Sequence, residues 1–552
     1  ASTLSERTDL SPGEYLKRLE AKKQELPEVE ASLALSYDLL GDDAQARFRS
    51  LGIFPSDFMH MAAGAVWECE ADQARDRLAE LRKYSLVEFN EETGRWRLHD
   101  LVRDFARTRL GEEEREAAAR RHAEHYLRVL SLAKETYKKG DENCVRGLNL
   151  FDAERANVEA GQAWAAARAG RDDAAARLTN DYPDAGVYVL SLHQHPRELI
   201  EWLEAALAAA RRLYDRGAEG NHLGNLGIAY KNLGETRKAV QSHEKALEIS
   251  REIGDRRGEG NALGNLGNAH AALGETQKAV EYYEQHLEIA REIGDRRGEG
   301  AALGNLGLAY AALGETRKAI EYYQHRLEIA REIGDRRGEG AALGNLGIAY
   351  KNLGETRKAV EYYEQHLEIA REIGDRRGEG NALGNLGNAQ ADLGETRKAV
   401  EYYEQALEID REIGDRRGEG AALGNLGLAC ADLGETRKAV EYYERQLEIA
   451  RAIGDRRGEG NALGNLGSAY LLLGETRKAV EYYEQRLEIA REIGDRRGEG
   501  NALWNMALAL NKLGRRDEAI ARAQDALAIF EAIEDPNAEM VRRGLEEWKN
   551  DE

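Results

Sequence analysis

Apolar residues recur every three or four positions along most of this 552-residue chain. That is the spacing of helices that bury one stripe and leave the other in water. From Asn221 onward the pattern itself repeats every 40 residues, in eight units that begin at Asn221, Asn261, Ala301, Ala341, Asn381, Ala421, Asn461 and Asn501. Two helices are predicted per unit. Helix A runs over Arg256–Leu273 and is stopped by Gly274; helix B runs over Thr276–Ile293 and is stopped by Gly294. Asp295 then caps the next helix A. Leu263, Leu266, Ala269 and Leu273 fall on one face, as do Ala279, Tyr283, Leu287 and Ala290. The six prolines all lie outside residues 197–535, so none interrupts these helices.

Residues 28–110 have another texture. Helical patterns at Glu28–Leu40, Asp43–Leu51 and Ala71–Tyr84 precede two short strands, Leu86–Phe89 and Trp96–Leu98, about a turn at Glu92-Thr93-Gly94. A further helix starts at Asp100. Residues 111–220 are helical but irregular, with stretches at Phe151–Trp164 and Leu199–Leu213 that link this region to the array. Residues 541–552 read as a helical tail.

The units at Ala301 and Ala341 differ at 7 of 40 positions. Counting from each unit's first residue, three differences fall at positions 8, 11 and 12, three at 24 to 26, and one is the conservative Ile320/Val360. Positions 1, 5, 8 and 12 share one stripe of helix A, while positions 3, 6, 10 and 13 are expected to pack the core. Position 8 reads Ile228, Asn268, Leu308, Ile348, Asn388, Leu428, Ser468 and Leu508. Position 12 includes Asn352, Asp392 and Asp432, and position 11, beside the stripe, includes Lys231 and Lys351. Position 5 never varies: Asn225, Asn265, Asn305, Asn345, Asn385, Asn425, Asn465 and Asn505. A side-chain amide donates and accepts at once, as a peptide group does. Positions 24 to 26 of helix B are expected to form a solvated face.

NLGxAYxxLG followed by AVEYYEQALEIA resembles the tetratricopeptide repeat. The resemblance covers residues 221–540. It implies a mainly all-α fold, a right-handed superhelix of helical pairs whose A helices line a concave groove. Gly267 and its equivalents match the family's small residue on helix A, and Ala279 the one on helix B. The sequence departs from the family pattern at Leu263, where an aromatic is usual, and at Arg291, where proline is usual. A second small residue of helix B is alanine only at Ala246, Ala406 and Ala526; elsewhere it is His286, Arg326, His366, Gln446 or Arg486. The last unit departs most, at Trp504, Met506, Arg515 and Arg516, as a terminal cap requires. The constant asparagines resemble the ladders by which some superhelical members of the family hold an extended peptide backbone. A protein or peptide partner is therefore expected on the stripe, gripped by the asparagines and read by the residues beside them. The alternative is that each asparagine only ties its helix to the neighbouring unit.

LALSYDLL, FRSLGIFP, LAELRKYSLVEF and RWRLHDLVRDFA (residues 33–40, 48–55, 78–89 and 95–106) resemble the winged helix of the STAND NTPases, the group that includes NB-ARC proteins. Residues 11–26, SPGEYLKRLEAKKQEL, resemble the end of the helical domain before that winged helix, so residues 1–27 are expected to be a trailing helical segment. The resemblance implies that His99, in the pair His99-Asp100, lies beside a nucleotide in the parent family. No GxxxxGK[ST] occurs here, so this chain is expected to hold no cofactor and to catalyse no hydrolysis. ADP or ATP belongs to a longer parent protein, an expectation that suits a chain opening on Ala1.

Composition narrows the remaining classes. The formal charge of −22 opposes non-specific attraction to nucleic acid. A winged helix could still act on DNA through Arg103, Arg107 and Arg109, which would make the chain a transcription regulator; a purely structural scaffold is the third alternative. Cys69, Cys144 and Cys430 lack paired spacing, which fits a reducing, cytoplasmic setting. No run is long and apolar enough to span a membrane, and the start shows no signal-peptide pattern. GEGNALG follows a helix and lacks GxGxxG spacing, so close helix packing is the expected reason for it. His122, Glu124 and His125 lack the spacing of a metal site.

Overall fold

The computed structural model describes residues 17, 28–140 and 142–550. The helical segment expected over 1–27 lies outside the described residues apart from Lys17, as do the last two residues of the tail. The fold is mainly all-α, with a single two-stranded sheet among the described residues. It divides into two compact units, one ending at Ile289 and one beginning at Ala290.

The first unit opens with α1 (Glu28–Asp38), α2 (Asp42–Ser50), α3 (His60–Trp67) and α4 (Ala71–Lys83), followed by the antiparallel strands β1 (Glu88–Asn90) and β2 (Arg95–Arg97) and by α5 (Asp100–Thr108). The strands pair Glu88 with Arg97, Phe89 with Trp96 and Asn90 with Arg95. Each is shifted by one or two residues from its expected position. Leu86 and Val87 are buried before the ladder begins, and Trp96 also exchanges two backbone bonds of 2.8 Å with Phe58. Helix α3 was not legible in the sequence because HMAAGAVW is apolar without a period. It buries Ala62, Ala63 and Val66 beside Phe48, Phe54, Phe58 and Leu78. Two long helices, α6 (Glu112–Tyr137) and α7 (Glu142–Arg168), follow, then α8 (Asp173–Ala185), α9 (Val187–His193) and α10 (Pro196–Arg212). The stretches expected at Phe151–Trp164 and Leu199–Leu213 fall within or almost within α7 and α10. Arg95 of the hairpin reaches Glu154 of α7 at 2.6 Å and Asp57 at 3.1 Å, an ion cluster that fastens the hairpin to the helices.

The repeats begin in this unit and continue in the second. Helix A occupies Arg256–Ala272 and its equivalents, and helix B occupies Thr276–Glu292 or one residue more, as in Thr316–Ile333. Asp295 Oδ1 accepts from the Gly298 amide at 2.9 Å, the expected cap. Gly314 and Gly334 stop their helices at φ of +80° and +70°, a region that penalises any residue with a Cβ.

The buried face of helix A is broader than expected. Positions 2, 3, 6, 7, 9 and 10 are buried in most units, but position 13 is not: Leu313 is 38% exposed. It sits at the C-cap, and its equivalents Leu233, Leu473 and Leu513 pack against the edge of the core only in part. Position 7 is glycine because helix B presses a ring onto it. A Cβ on Gly467 would lie 2.5 Å from the Tyr483 ring. The last unit makes the reverse exchange, with buried Ala507 at position 7 and buried Ala523 at position 23.

The junction GDRRGEG has a second role beyond the close packing expected of its glycines. Glu339 is almost fully buried, and its two oxygens are held by Arg331 at 2.7 Å and Arg336 at 2.5 Å. Arg336 also pairs with Glu372 of the next helix B. The same carboxylate clamp recurs at Glu219, Glu259, Glu299, Glu379, Glu419, Glu459 and Glu499. Arginine in the last turn of helix B, which runs on where the family pattern has proline, is thus one jaw of this clamp. The array ends under a helix at Asn537–Asn550, which starts before the expected tail. Trp548 stacks on Trp504 with centroids 5.6 Å apart, and Val541 and Leu545 are buried. Trp504 and Met506 are therefore the floor beneath a terminal helix, and that helix is the cap.

Candidate functional site

Helix A places its positions 1, 5, 8 and 12 along the side that the packing leaves uncovered. Positions 1 and 12 are exposed in nearly every unit, and the constant asparagine at position 5 is half-buried in all eight. Of the positions that flank it on the helical wheel, 2 and 9 are buried while 1 and 12 are exposed, which sets the amide at the edge of the core.

One asparagine of the row bonds to a neighbouring unit: Asn425 Nδ2 donates to Asn388 Oδ1 at 3.3 Å. Among the described residues, Asn225, Asn265, Asn305, Asn345, Asn385, Asn465 and Asn505 show no hydrogen bond from their amides to protein. The tie between units therefore accounts for one position and leaves seven free.

Position 8 is read by helix B as well as by solvent. Asn388 Oδ1 accepts from the Tyr403 hydroxyl at 2.8 Å, Asn268 Oδ1 accepts from Tyr283 at 2.9 Å, and Ser468 lies 3.1 Å from the Tyr483 hydroxyl. Burial pushes the phenols of Tyr283 and Tyr403 up to about 12, so they stay protonated donors. Where position 8 is Leu308, Ile348 or Leu428, the apolar side chain stands exposed instead. Lys351 and Asp392, on adjacent units, pair at 3.1 Å. Asn352, Asp432 and Lys231 are exposed.

Helix B departs from expectation at one position. Positions 24 and 25 are solvated, but position 26 is not. His286 is buried, and Arg326, His366, Gln446 and Arg486 are half-buried. Each lies against the glycine at position 4 of its own helix A. A Cβ at Gly264 would meet His286 Nδ1 at 2.9 Å, at Gly424 it would meet Gln446 Nε2 at 2.7 Å, and at Gly464 it would meet Arg486 Cζ at 2.9 Å. Where position 26 is Ala246 or Ala406, nothing lies within 4 Å of Gly224 or Gly384. The glycines form a window through which helix B reaches the helix A face. In the second unit, cavities of about 740 and 500 Å³ open there. Gln446 and Arg486 line the larger, beside Asn425 and Asn465, and His366 lines the smaller, beside Asn345 and Asn385. The pairing of glycine at position 4 with a variable position 26 was the signal in the sequence.

The remaining candidates do not gather into a site. His99 is exposed at the end of the hairpin and caps α5, its Nδ1 accepting from the Leu101 amide at 3.4 Å. Arg103 pairs with Asp100 at 2.7 Å, Arg107 donates to the Gly52 carbonyl at 2.6 Å, and Arg109 stacks on Phe105. Burial holds His122 down to about 3 and His125 to about 4, and His122 packs edge-on to Phe54. No cluster of His, Cys, Asp or Glu fit for a metal, and no helix long and apolar enough to cross a membrane, occurs among the described residues. The three cysteines are unpaired.

A tetratricopeptide repeat family profile matches residues 258–332, 338–412 and 418–492, and a second profile of the same description matches 223–257. No curated protein matches the sequence. Among solved structures, the chain is similar to a signal transduction ATPase with numerous domains (STAND) protein with a tetratricopeptide repeat sensor from Pyrococcus horikoshii. The identity is 18%, the match covers 89% of this chain and 72% of that one, and the TM-score is 0.58. It is also similar to BtubC from P. vanneervenii (23% identity, 40% and 92% covered, TM-score 0.37) and to the apo quorum sensor NprR from B. thuringiensis (16% identity, 62% and 96% covered, TM-score 0.46). The repeats over 223–492 are tetratricopeptide repeats, and the uncovered stripe is the helix A face of that array.

Proposed function

We propose that the chain is the ligand-sensing arm of a STAND-type signalling protein and that it holds a protein or peptide along the helix A face. The observation that carries this reading is the constant asparagine row. Seven of its eight amides have no protein partner among the described residues and stand half-buried at the edge of the helix A face, where their donors and acceptors are open to a ligand. A peptide backbone offers the matching donor and acceptor at each step. Positions 8, 11 and 12 then discriminate side chains. The likeness of fold to the P. horikoshii protein, which carries a tetratricopeptide repeat sensor, supports the reading. Residues 28–110, read as a winged helix, would carry the binding event to a nucleotide switch elsewhere in a longer protein, with exposed His99 as its contact. Binding signals only by favouring one conformation over another. The internal bonds of Arg103, Arg107 and Arg109 weigh against the DNA-binding alternative.

The test is selection of a displayed library of random peptides on the whole chain, followed by substitution along the stripe. Asn385→Ala with Asp392→Lys, and Asn465→Ala with Asn505→Ala, are expected to weaken the selected peptides roughly tenfold or more while circular dichroism and melting stay near wild type. Peptides that bind all variants equally would remove the helix A face as the site.

A further inference from the structure

The larger cavity on the helix A face of the second unit is basic, in a chain whose net charge is −22. Its walls carry Arg416, Arg417, Arg457 and Arg486 against one carboxylate, Asp455. Arg416 is committed to Glu419 at 2.5 Å, and Asp455 accepts from the Gly458 amide at 3.0 Å. Arg417, Arg457 and Arg486 have no ion-pair partner among the described residues. Arg417 and Arg457 are exposed and solvated, but Arg486 is half-buried and pressed flat onto Gly464. Burial pulls its guanidinium below the ordinary value, and the Asp495 carboxylate nearby offsets only part of that loss without forming an ion pair. Arginine nevertheless stays charged in proteins.

An unpaired, partly desolvated charge is unfavourable for folding, and this array does not need one. The same slot holds Ala246, Ala406 and Ala526 in other units and the neutral Gln446 one unit earlier. Arg486 is therefore a costly choice at a position the fold leaves free. Its planar fork faces a cavity large enough for a side chain and flanked by two asparagines of the constant row.

We propose that position 26 sets the charge preference of each cavity on the helix A face, and that Arg486 seats a carboxylate of an acidic peptide. The proposal rests on the peptide-binding reading above and adds the chemistry of the ligand. A carboxylate would accept two parallel bonds from the guanidinium, while the Asn425 and Asn465 amides meet the flanking backbone. Arg326 lies over Gly304 in the same way and would make a second seat, four units before the first. Nucleic acid fits less well. The arginines are confined to a discrete cavity instead of forming a continuous track, and the acidic chain repels a long polyanion.

The test uses the whole chain and peptides selected from the displayed library. A selected peptide bearing aspartate or glutamate is compared by fluorescence anisotropy with its amide counterpart, Asn or Gln at the same place. Wild type is expected to lose roughly tenfold in affinity on that exchange, and the Arg486→Gln variant to lose almost nothing. The variant should melt no lower than wild type, because Gln446 already fills the equivalent slot and the desolvated charge is gone. Peptides sensitive to Asn465→Ala with Asn505→Ala but indifferent to Arg486→Gln would overturn this inference and leave the peptide reading standing. Absence of any stripe-dependent peptide would overturn both. An oligothymidylate that binds more tightly than the acidic peptide, and through Arg486, would assign the cavity to nucleic acid and overturn the peptide as its occupant.

Discussion

Asn425 Nδ2 donates to Oδ1 of Asn388, 3.3 Å away on the preceding helix A, and the same oxygen accepts from Tyr403 at 2.8 Å. Two chemically equal asparagines thus differ in role. Asn388 holds a structural network, while Asn385, one turn earlier, has no such partner. Asn388→Leu, which installs the residue found at Leu428, is expected to destabilise the array by about 1 kcal/mol. Asn385→Ala should stay within about 0.5 kcal/mol of wild type. Urea unfolding followed by circular dichroism separates the two; equal losses would place both asparagines in the scaffold.

The buried carboxylate clamp should be among the most sensitive points of the array. Glu339→Ala removes the shared partner of Arg331 and Arg336. Breaking a buried pair costs about 3 kcal/mol at the lower end of the usual range, and that end applies because both arginines are about half exposed. Denaturant titration gives the value. A loss below that of an ordinary surface substitution would mean that the clamp is ornamental.

These clamps also give the array an acid limit. Burial pushes the carboxyl of Glu299 upward, but hydrogen bonds from Arg291 and Arg296 outweigh it and hold the group below its ordinary value. Glu259 is held down in the same way. A depressed carboxylate adds stability above its unfolded value, near about 4.3, and loses it as pH falls through the folded one. Melting temperature should therefore drop steeply below about pH 4 in wild type and less steeply in Glu299→Gln.

Asp410 has the opposite sign. It occupies the slot of Ala330, Ala370, Ala450 and Ala490, and burial, with Asp415 and Glu419 nearby, pushes it up to about 6. A raised carboxyl is a penalty that grows as pH rises from about 4 through 6. Asp410→Ala should therefore stabilise the array at pH 7, by about 1 kcal/mol after solvent screening, and change little at pH 4. Equal melting at pH 7 would show that Asp410 keeps its water.

The fit of Gly467 to Tyr483 predicts a coupled pair. Gly467→Ala should destabilise by about 2 kcal/mol despite its better helix propensity, because the new Cβ would lie 2.5 Å from the ring. Combining it with Tyr483→Ala, which reproduces Ala507 and Ala523, should cost less than the sum of the single changes. Additive losses in a double-mutant cycle would argue against direct contact.

Periodicity, glycine stops and aspartate caps are local signals, and the helical pairs were legible for that reason. Helix ends fell within a residue of expectation in the array, while α3 was missed because an evenly apolar run carries no period. The sequence by itself determined the helices, the eightfold repeat and the stripe that varies, since each depends on residues close together in the chain. Tertiary structure alone decided that Arg486 turns through the Gly464 window instead of out to water, that Glu339 is clamped by two arginines, that Asn425 ties to Asn388, and that Trp504 lies under Trp548. In each case the deciding partner belongs to another helix, and its approach is set by how closely two backbones pack, which no helical period records.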